Sequence, residues 1–402
     1  MAVLSPGSRD AANKADELLD AARSMVPTLR ARQPETDELG RTPVETEKEL
    51  ESAGLFSLML PSDYGGSETS VSTWMEVNTE IGRGDAGVGW AMTLINGCQW
   101  MAAECYPRSV SDEVFSTPNA RVAGVFAPRG VEARRVEGGI VVDKGIWNMN
   151  SGVYHANWDL LGVPLLNEAN EVTGHGVALV PMSDVNVLDD WDTIGLRGSG
   201  SSSVSMENVF IADERICDLQ ECIEGRFLGG FGDRPLYRSA FMPLMVILLA
   251  FPALGAGIHM LEEFLEQLPK RQILYTPYKK QGEAPVTHLQ VGEASAKIDA
   301  ARLLISHSCG EIDRWAQTTE YMPERNRARI GRDTGYADKL LWEACDILAQ
   351  AAGGTFARNG NVLNRLWGDV KVANMHPFAN FATNMEVYGG LLCGVSQPLR
   401  PV

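Results

Sequence analysis

Residues 134–152 read RRVEGGIVVDKGIWNMNSG, and this stretch decides the class of fold. Its β-branched side chains form a short run bounded by glycine, asparagine and aspartate, a composition typical of strands and turns. Four similar runs lie near it in the sequence: VAGVFAPRG (122–130), WDLLGVPLL (158–166), GHGVALVPM (174–182) and VSMENVFIAD (204–213). The sequence therefore predicts a central β-barrel or sandwich over residues 120–226.

Helical spacing of apolar residues replaces this pattern on both sides. Residues 1–119 are predicted to form an N-terminal α-helical domain, and residues 227–402 a C-terminal helical domain. A start signal for the second helix is Thr42 as N-cap, with Pro43 at the first helical position. The first helix is predicted from apolar residues on one face: Ala15, Leu18, Leu19, Ala22 and Met25. The order α, β, α gives an α+β fold.

Composition narrows the possible partners of this 402-residue chain. Its formal net charge is −17 and its sequence pI is near 4.9. Because nucleic acids and anionic membranes bind clustered lysine and arginine, we do not expect either as the main partner. The first residues, MAVLSPGSRDAANKADELL, lack a basic region followed by an apolar stretch, so we expect a cytoplasmic location.

Cysteine and histidine usage gives no sign of a metal centre. The seven cysteines and six histidines are scattered, without CxxC, HxxxH or HExxH spacing, so neither a disulfide framework nor a protein-bound metal is expected. The longest apolar run, residues 241–257, is shorter than the roughly 20 residues that cross a bilayer. It contains Pro243 and Pro252, and we expect it to be a buried helical region.

One histidine, His376, stands at the start of an amphipathic run in residues 370–394, VKVANMHPFANFATNMEVYGGLLCG. Pro377 fits the first position of a helix, which would place His376 near the N-cap. The positive end of the helix dipole would then favour the neutral imidazole, able to accept a proton or donate one hydrogen bond. The alternative is a buried histidine that only satisfies a backbone group.

The order of several short motifs resembles the acyl-CoA dehydrogenase superfamily, and more closely its flavin-dependent monooxygenase branch, the oxygenase components of two-component aromatic hydroxylases. The motifs are LESAG (50–54), PSDYGG (61–66), GDAGVGW (84–90), GIWNMNSG (145–152), WDTIGLRGSGSSSVSMENVFI (191–211), LNRLWGDVKVANMH (363–376) and YGGLLCG (388–394). The resemblance implies an acyl-CoA dehydrogenase-like fold whose C-terminal domain is a four-helix bundle.

The same resemblance implies positions for the site. Ser151, in the segment that lies along the isoalloxazine in relatives, would hydrogen-bond near flavin N5 and join His376 as a catalytic residue. From the residues alone, Ser151 also fits an ordinary turn serine, and the Gly195–Gly198–Gly200 loop an ordinary β-turn. The implied flavin contacts are Trp147, Ser151, Arg197, Ser199, Gly353 and Gly354; the implied substrate pocket is Trp90, Trp100, Phe378 and Phe381.

The reaction implied by the resemblance is aromatic hydroxylation. A separate reductase would supply reduced FAD or FMN, oxygen would form a C4a-(hydro)peroxyflavin, and a phenol or indole would be oxygenated. In many dehydrogenases a glutamate abstracts the α-proton of the acyl thioester; Pro377 stands in its place here. An acyl-CoA dehydrogenase with another base, an amino-sugar N-oxygenase and a non-catalytic scaffold remain alternatives.

Two expectations concern assembly and flavin type. The resemblance implies a homotetramer, and because residues 242–257 are apolar on several faces, we expect a neighbouring subunit to cover them. Where the superfamily has an arginine that reaches a neighbouring subunit's flavin phosphates, this chain offers Lys279 and Lys280, which leaves FAD and FMN both open. Arg129 is unusual for an apolar aromatic pocket.

Overall fold

The computed structural model describes residues 6–127 and 130–395, so Arg129 lies outside the described residues. The helices are α1 (Pro6–Leu39), α2 (Val44–Ser52), α3 (Val71–Gly84), α4 (Ala86–Glu104), α5 (Arg108–Phe115), α6 (Leu219–Ile223), α7 (Phe241–Ile247), α8 (Ala250–Gln267), α9 (Pro285–Ala316), α10 (Glu324–Ala352), α11 (Val362–Asn374) and α12 (Phe381–Leu392). The strands are β1 (Val122–Val125), β2 (Glu132–Val136), β3 (Gly139–Trp147), β4 (Trp158–Leu166), β5 (Val172–Pro181), β6 (Asn186–Val187), β7 (Val204–Ala212) and β8 (Ile216–Asp218).

The strands form the expected two-layered β unit. One four-stranded sheet has the order β1-β4-β5-β8 and the other has the order β2-β3-β7-β6. Strands β1 and β4 run parallel, whereas the other pairings are antiparallel. Alternate side chains of both sheets, including Ile140, Val142, Leu161 and Val163, form a core of their own. The predicted central sandwich is confirmed.

Helix α4 is the buried centre of the N-terminal helices. Asp85 caps it, because its carboxylate accepts the backbone N–H groups of Gly87 and Val88 at 2.9 and 3.1 Å. The helix is apolar on nearly every side and is buried over almost its whole length, as such a composition predicts. Trp90 lies in its second turn.

The start of α2 differs from the prediction. The helix begins at Val44 with Pro43 as its N-cap, and Thr42 does not cap it. The Thr42 hydroxyl instead donates a hydrogen bond of 3.0 Å to the carbonyl oxygen of Gly198. The threonine is therefore used to hold a loop of the β unit against the helical layer.

The C-terminal helices α8, α9, α10 and α11 pack against one another as the expected four-helix bundle. The apolar run in α7 and α8 lies inside it. Residues 241–270 are long and apolar enough to cross a membrane by length and composition, but 94% of the apolar window is buried within the fold. The run is thus a core helix. The expectation that residues 242–257 need a neighbouring subunit to cover them is wrong, because this chain covers them itself.

One large apolar core joins the helices before the β unit to those after it. It contains Trp74 and Trp100 from the first helices and Phe251 and Leu341 from the last ones. The N-terminal and C-terminal helices therefore pack directly against each other through α4 and α8, and the β unit packs against α4. The site lies where these three parts meet.

The histidine turn between α11 and α12 is not a helix start. Helix α12 begins at Phe381, and its N-cap is Asn380, whose side chain accepts the Thr383 N–H at 3.0 Å. His376 stands four residues earlier, in the turn that follows α11. The prediction that His376 lies near the N-cap is therefore wrong: the asparagine supplies the cap, so the helix dipole argument does not apply to the histidine.

Candidate active site

Three segments that are distant in sequence bring Trp90, Ser151 and His376 together. The indole N–H of Trp90 donates to the Ser151 hydroxyl oxygen at 3.0 Å. The rings of Trp90 and His376 have centroids 6.0 Å apart with their planes tilted by 58°. Trp90 and Ser151 are buried, and His376 is partly buried. The tryptophan thus stands between the hydroxyl group and the imidazole.

A chain of hydroxyl groups continues from Ser151 into the loop before β7. Ser151 and Ser201 have hydroxyl oxygens 2.7 Å apart, and those of Ser201 and Ser199 are also 2.7 Å apart. All three serines are buried. The two links use two of the three hydroxyl protons, and no acceptor for the third is found among the described residues. One O–H of the chain can therefore be donated to a bound group.

The backbone fixes the turn that carries Ser151. The N–H of Asn150 donates to the Ser202 carbonyl at 3.1 Å, and the N–H of Gly152 donates to the Ser199 carbonyl at 2.9 Å. Gly152 has φ 77°, a left-handed conformation that favours glycine, and a Cβ there would lie 3.0 Å from Ile95 of α4. The turn is thus held between α4 and the loop before β7, residues 191–203, which we call the serine loop.

The buried carboxyl group of Asp159 holds the same turn through a hydrogen bond with Asn150. The Asn150 amide donates to Asp159 Oδ2 at 2.6 Å. Burial raises the pKa of Asp159 to about 7, and the hydrogen bonds from Asn150 and the Leu160 backbone only partly oppose this. This acid was not singled out from the sequence, where it is one aspartate in a strand.

The imidazole of His376 is oriented by its own turn. Its Nδ1 accepts the backbone N–H of Phe378 at 3.2 Å, and its carbonyl oxygen accepts the N–H of Ala379 at 2.9 Å. With Nδ1 used as an acceptor, the neutral ring carries its proton on Nε2. The ring centroid of Phe378 lies 5.7 Å from that of His376, so the structure brings Phe378 to the cluster.

Three other residues predicted for the site lie elsewhere. Trp147 is fully buried in the interior of the β unit, and its indole N–H donates to the Gly162 carbonyl at 2.8 Å. Phe381 packs on α10, with Tyr336 at 6.1 Å and the Lys339 ammonium 4.6 Å from its ring centre. Trp100 donates to the Leu236 carbonyl. None of the three has a described contact with Trp90, Ser151 or His376.

The remaining predicted flavin contacts fall into two groups. Ser199 belongs to the hydroxyl chain, and Arg197 lies beside it but is bonded to protein groups: its Nε donates to the Asp37 carbonyl at 2.9 Å and its Nη1 to Asp192 at 3.0 Å. Gly353 and Gly354 lie far along the chain, exposed at the end of α10. Their surroundings within one chain do not connect them to the cluster.

Sequence reasoning missed two residues beside Ser151. Ser201 links Ser151 to Ser199, but within the run GSGSSS no sequence signal separates it from its neighbours. Met149 is 70% exposed and has φ 63°. A large apolar residue in a left-handed conformation is unusual, and such strain tends to occur at functional sites. The signal is conformational, so the sequence does not carry it.

The donor set fits a flavin. An isoalloxazine is a flat ring system with a polar edge, so it needs an apolar or aromatic neighbour and hydrogen-bonding groups along one side. Trp90 supplies an aromatic neighbour, and the Ser151–Ser201–Ser199 chain supplies hydroxyl groups that can donate or accept. The hydroxyl proton without an acceptor is the group that such a ligand would satisfy.

Comparisons with known proteins agree with this arrangement. Family models described as the N-terminal and C-terminal domains of acyl-CoA dehydrogenase match residues 13–104 and 247–381. The flavin-dependent monooxygenase oxygenase subunit HsaA of Mycobacterium tuberculosis is 28% identical over 90% of this chain and 91% of its own. The oxygenase component of p-hydroxyphenylacetate 3-hydroxylase from Acinetobacter baumannii is 26% identical over 94% of this chain and 89% of its own.

A solved structure extends the likeness to the whole fold. XiaF from Streptomyces sp., in complex with FADH2 and glycerol, is 29% identical, has a TM-score of 0.92 and covers 99% of this chain and 100% of its own. The fold, the hydroxyl chain beside Trp90 and the relatives point the same way. The chain belongs to the acyl-CoA dehydrogenase superfamily, in its branch of flavin-dependent monooxygenases.

Proposed function

We propose that this protein is the oxygenase component of a two-component aromatic hydroxylase. It takes reduced FAD or reduced FMN from a separate reductase and uses oxygen to hydroxylate a phenol or an indole. The observation that carries the proposal is the cluster of Trp90, Ser151 and His376, in which one indole ring contacts both a hydroxyl chain and an imidazole. The relatives named as oxygenase components support it.

The residues of the cluster have separate tasks in this proposal. Reduced flavin, when bound, supplies the electrons that activate oxygen. Ser151 holds a polar atom of the ring edge through its hydroxyl group, and Ser201 and Ser199 orient that hydroxyl. Trp90 keeps water away from the hydroxyl chain. His376, with its proton on Nε2, donates a hydrogen bond to the substrate.

An aromatic substrate suits this environment better than an amine. Two aromatic rings, those of Trp90 and Phe378, lie beside His376, and aromatic surroundings favour flat, apolar ligands. An amino sugar would carry a cation, which requires a carboxylate in contact with it. One of the relatives is a hydroxylase of p-hydroxyphenylacetate, a phenol, by its name. Amino-sugar N-oxygenation remains the second candidate.

The test supplies reduced FAD or reduced FMN and oxygen to the purified protein with a panel of phenols, indoles and amines. We expect oxygenated product from a phenol or an indole, and less released hydrogen peroxide when that substrate is present. A protein isolated nearly colourless that binds reduced flavin more tightly than oxidised flavin would distinguish it from a dehydrogenase. Oxygenated product from amines alone would contradict the aromatic assignment.

We also propose that the protein is a cytoplasmic homotetramer. Large apolar residues on the outside of the last helices support assembly: Leu289 and Leu303 of α9 are 75% and 72% exposed, and Leu392 of α12 is 54% exposed. Leu289 and Leu303 are roughly four helical turns apart and so lie near one face. Light scattering at micromolar concentration should give four times the chain mass, and a stable monomer would contradict the proposal.

A further inference from the structure

A buried ion network connects the elements that carry the site. The guanidinium of Arg365, in α11, lies between three carboxylates: Asp85 Oδ2 at 2.8 Å from Nη2, Asp37 Oδ2 at 2.9 Å from Nε, and Asp369 Oδ2 at 3.4 Å from Nη1. The Asp85 and Asp369 side chains are 0% and 1% exposed, and that of Arg365 is 12% exposed. Burial alone lowers the pKa of Arg365, but the three carboxylates outweigh it and raise that pKa.

Two of the three carboxylates hold parts of the site. Asp85 caps α4, the helix that carries Trp90 five residues later. Asp369 Oδ1 accepts the backbone N–H of Leu196 at 2.6 Å, so it holds the start of the serine loop. Asp369 is also seven residues before His376, on the helix that leads into the histidine turn. Asp37 lies near the end of α1.

Backbone contacts run alongside the ion pairs. A Cβ placed on Gly195 would lie 2.2 Å from the carbonyl carbon of Gly368, so the serine loop touches α11 directly. A Cβ placed on Gly87 would lie 2.6 Å from the nitrogen of Gly198, so the same loop touches the first turn of α4. The loop is therefore pressed between α4 and α11, and it has no room to shift toward either helix.

We propose that Arg365, Asp369 and Asp85 form a joint that fixes the serine loop, α4 and the histidine turn relative to one another, with Asp369 as a positioning residue for the flavin site. The inference rests on the proposed flavin function for its consequence, but not for the joint itself. A change at Asp369 would release the loop that carries Ser199 and Ser201 while leaving every residue of the cluster in the chain. Loss of the joint would loosen the contact between the hydroxyl chain and Trp90.

The experiment compares three variants by hydrogen–deuterium exchange in the absence of flavin. Asp369→Leu removes both the bond to Leu196 and the ion pair, whereas Asp369→Asn keeps an acceptor for Leu196. The matched control is Lys371→Met: Lys371 is also buried in α11, where it pairs with Asp346 at 2.7 Å and lies over the Trp342 ring, away from the loop. We expect about tenfold faster exchange in residues 191–203 for Asp369→Leu, the factor for loss of one hydrogen bond. Asp369→Asn should give a smaller increase, because it keeps the acceptor for Leu196 but loses the charge that pairs with Arg365, and Lys371→Met should stay near wild type there.

The same variants are then assayed with reduced flavin. Asp369→Leu should weaken reduced-flavin binding and raise the fraction of oxygen released as hydrogen peroxide, and Asp369→Asn should show smaller changes in both. Unchanged exchange in residues 191–203 for Asp369→Leu, or an equal increase for Lys371→Met, overturns the joint. If wild type bound no reduced flavin, the proposed function would fail while the exchange data still decided the joint.

A further variant, Gly195→Ala, tests the proposal if Asp369→Leu does not fold. Gly195→Ala leaves all charges in place but forces the loop away from the Gly368 backbone. Exchange should then rise in residues 191–203 and in the 370–380 segment together, because the two surfaces separate. Exchange that rises in neither segment overturns the proposal.

Discussion

The hydrogen bond from Trp90 to Ser151 should be measurable as a coupling between the two residues. Ser151→Ala leaves the buried indole N–H without its acceptor, because the bond of 3.0 Å to the serine hydroxyl is lost. An unsatisfied buried donor costs about 1–3 kcal/mol of unfolding free energy. Trp90→Phe removes the donor and some packing, but it leaves a hydroxyl group that can turn toward Ser201.

The double variant carries neither the donor nor the acceptor. Its loss of stability should therefore be smaller than the sum of the two single losses by about 1 kcal/mol. Urea unfolding of the flavin-free protein measures all four free energies. Additive losses, within about 0.3 kcal/mol, would show that the two side chains do not form this bond in solution.

The same serine variant tests the catalytic assignment. If Ser151 holds the flavin edge by one hydrogen bond, its loss lowers the yield of oxygenated product relative to peroxide by about two- to tenfold, the factor for roughly 0.5–1.5 kcal/mol. Ser203→Ala is the matched control, because Ser203 lies in the same loop but donates to Asn148 at 3.3 Å rather than joining the hydroxyl chain. An equal rise in peroxide from both variants would refute the role of Ser151.

Three further outcomes are expected. His376→Ala should lower the rate of hydroxylation by about 10²–10⁴-fold, the usual contribution of general acid–base catalysis, with little change in unfolding free energy. Its control, Met375→Ala at the exposed neighbouring residue, should change neither quantity. Near-normal product from His376→Ala would remove the histidine from the mechanism. Trp147→Phe should lower the unfolding free energy but not the affinity for reduced flavin, since its ring is fully buried in the β core, and a weakened affinity would place it at the flavin after all. Neither oxygen of Asp338 has a hydrogen-bond partner among the described residues, and burial raises the pKa of Asp338 to about 8. The folded chain therefore keeps a proton that the unfolded chain loses near pH 4. This group lowers the free energy of unfolding as pH rises from about 4 to about 8, by up to about 1.4 kcal/mol per pH unit. Denaturant unfolding should show Asp338→Asn gaining on wild type across that window, and a constant difference between pH 5 and pH 8 would contradict the shift.

Much of the fold was predictable because it rests on periodicity. The change from helical spacing to strand-like runs near residue 121 reflects which faces are buried, and burial is what the hydrophobic pattern records. The helix starts were less predictable. Thr42 and His376 both precede a residue that favours a first helical turn, yet Thr42 bonds to Gly198 and Asn380 supplies the cap of α12. A cap depends on which of several nearby polar groups finds a tertiary partner, and one sequence does not say.

Only some of the residues predicted for the site lie together in the structure. Ser151 and Ser199 were predicted from the family resemblance, since each alone also fits an ordinary turn, and the structure joins them through Ser201. Trp147 was predicted from its place in the same motif, but strand alternation turns its ring to the interior of the β unit. Phe381 was predicted from its nearness to His376, yet it begins a helix that faces α10. Proximity in sequence did not give the direction of the side chain.

The imidazole owes its orientation to its turn and not to a helix start. An N-cap histidine would be held neutral by the helix dipole over a range of backbone geometries. The Nδ1 atom of His376 instead accepts a hydrogen bond from the Phe378 N–H, and the turn that makes this bond follows the helix anchored by Arg365 and Asp369. Its orientation toward Trp90 therefore depends on the position of α11. Such a site forms only when the helices and the β unit hold their correct relative positions. This explains why none of its short motifs identifies the activity alone.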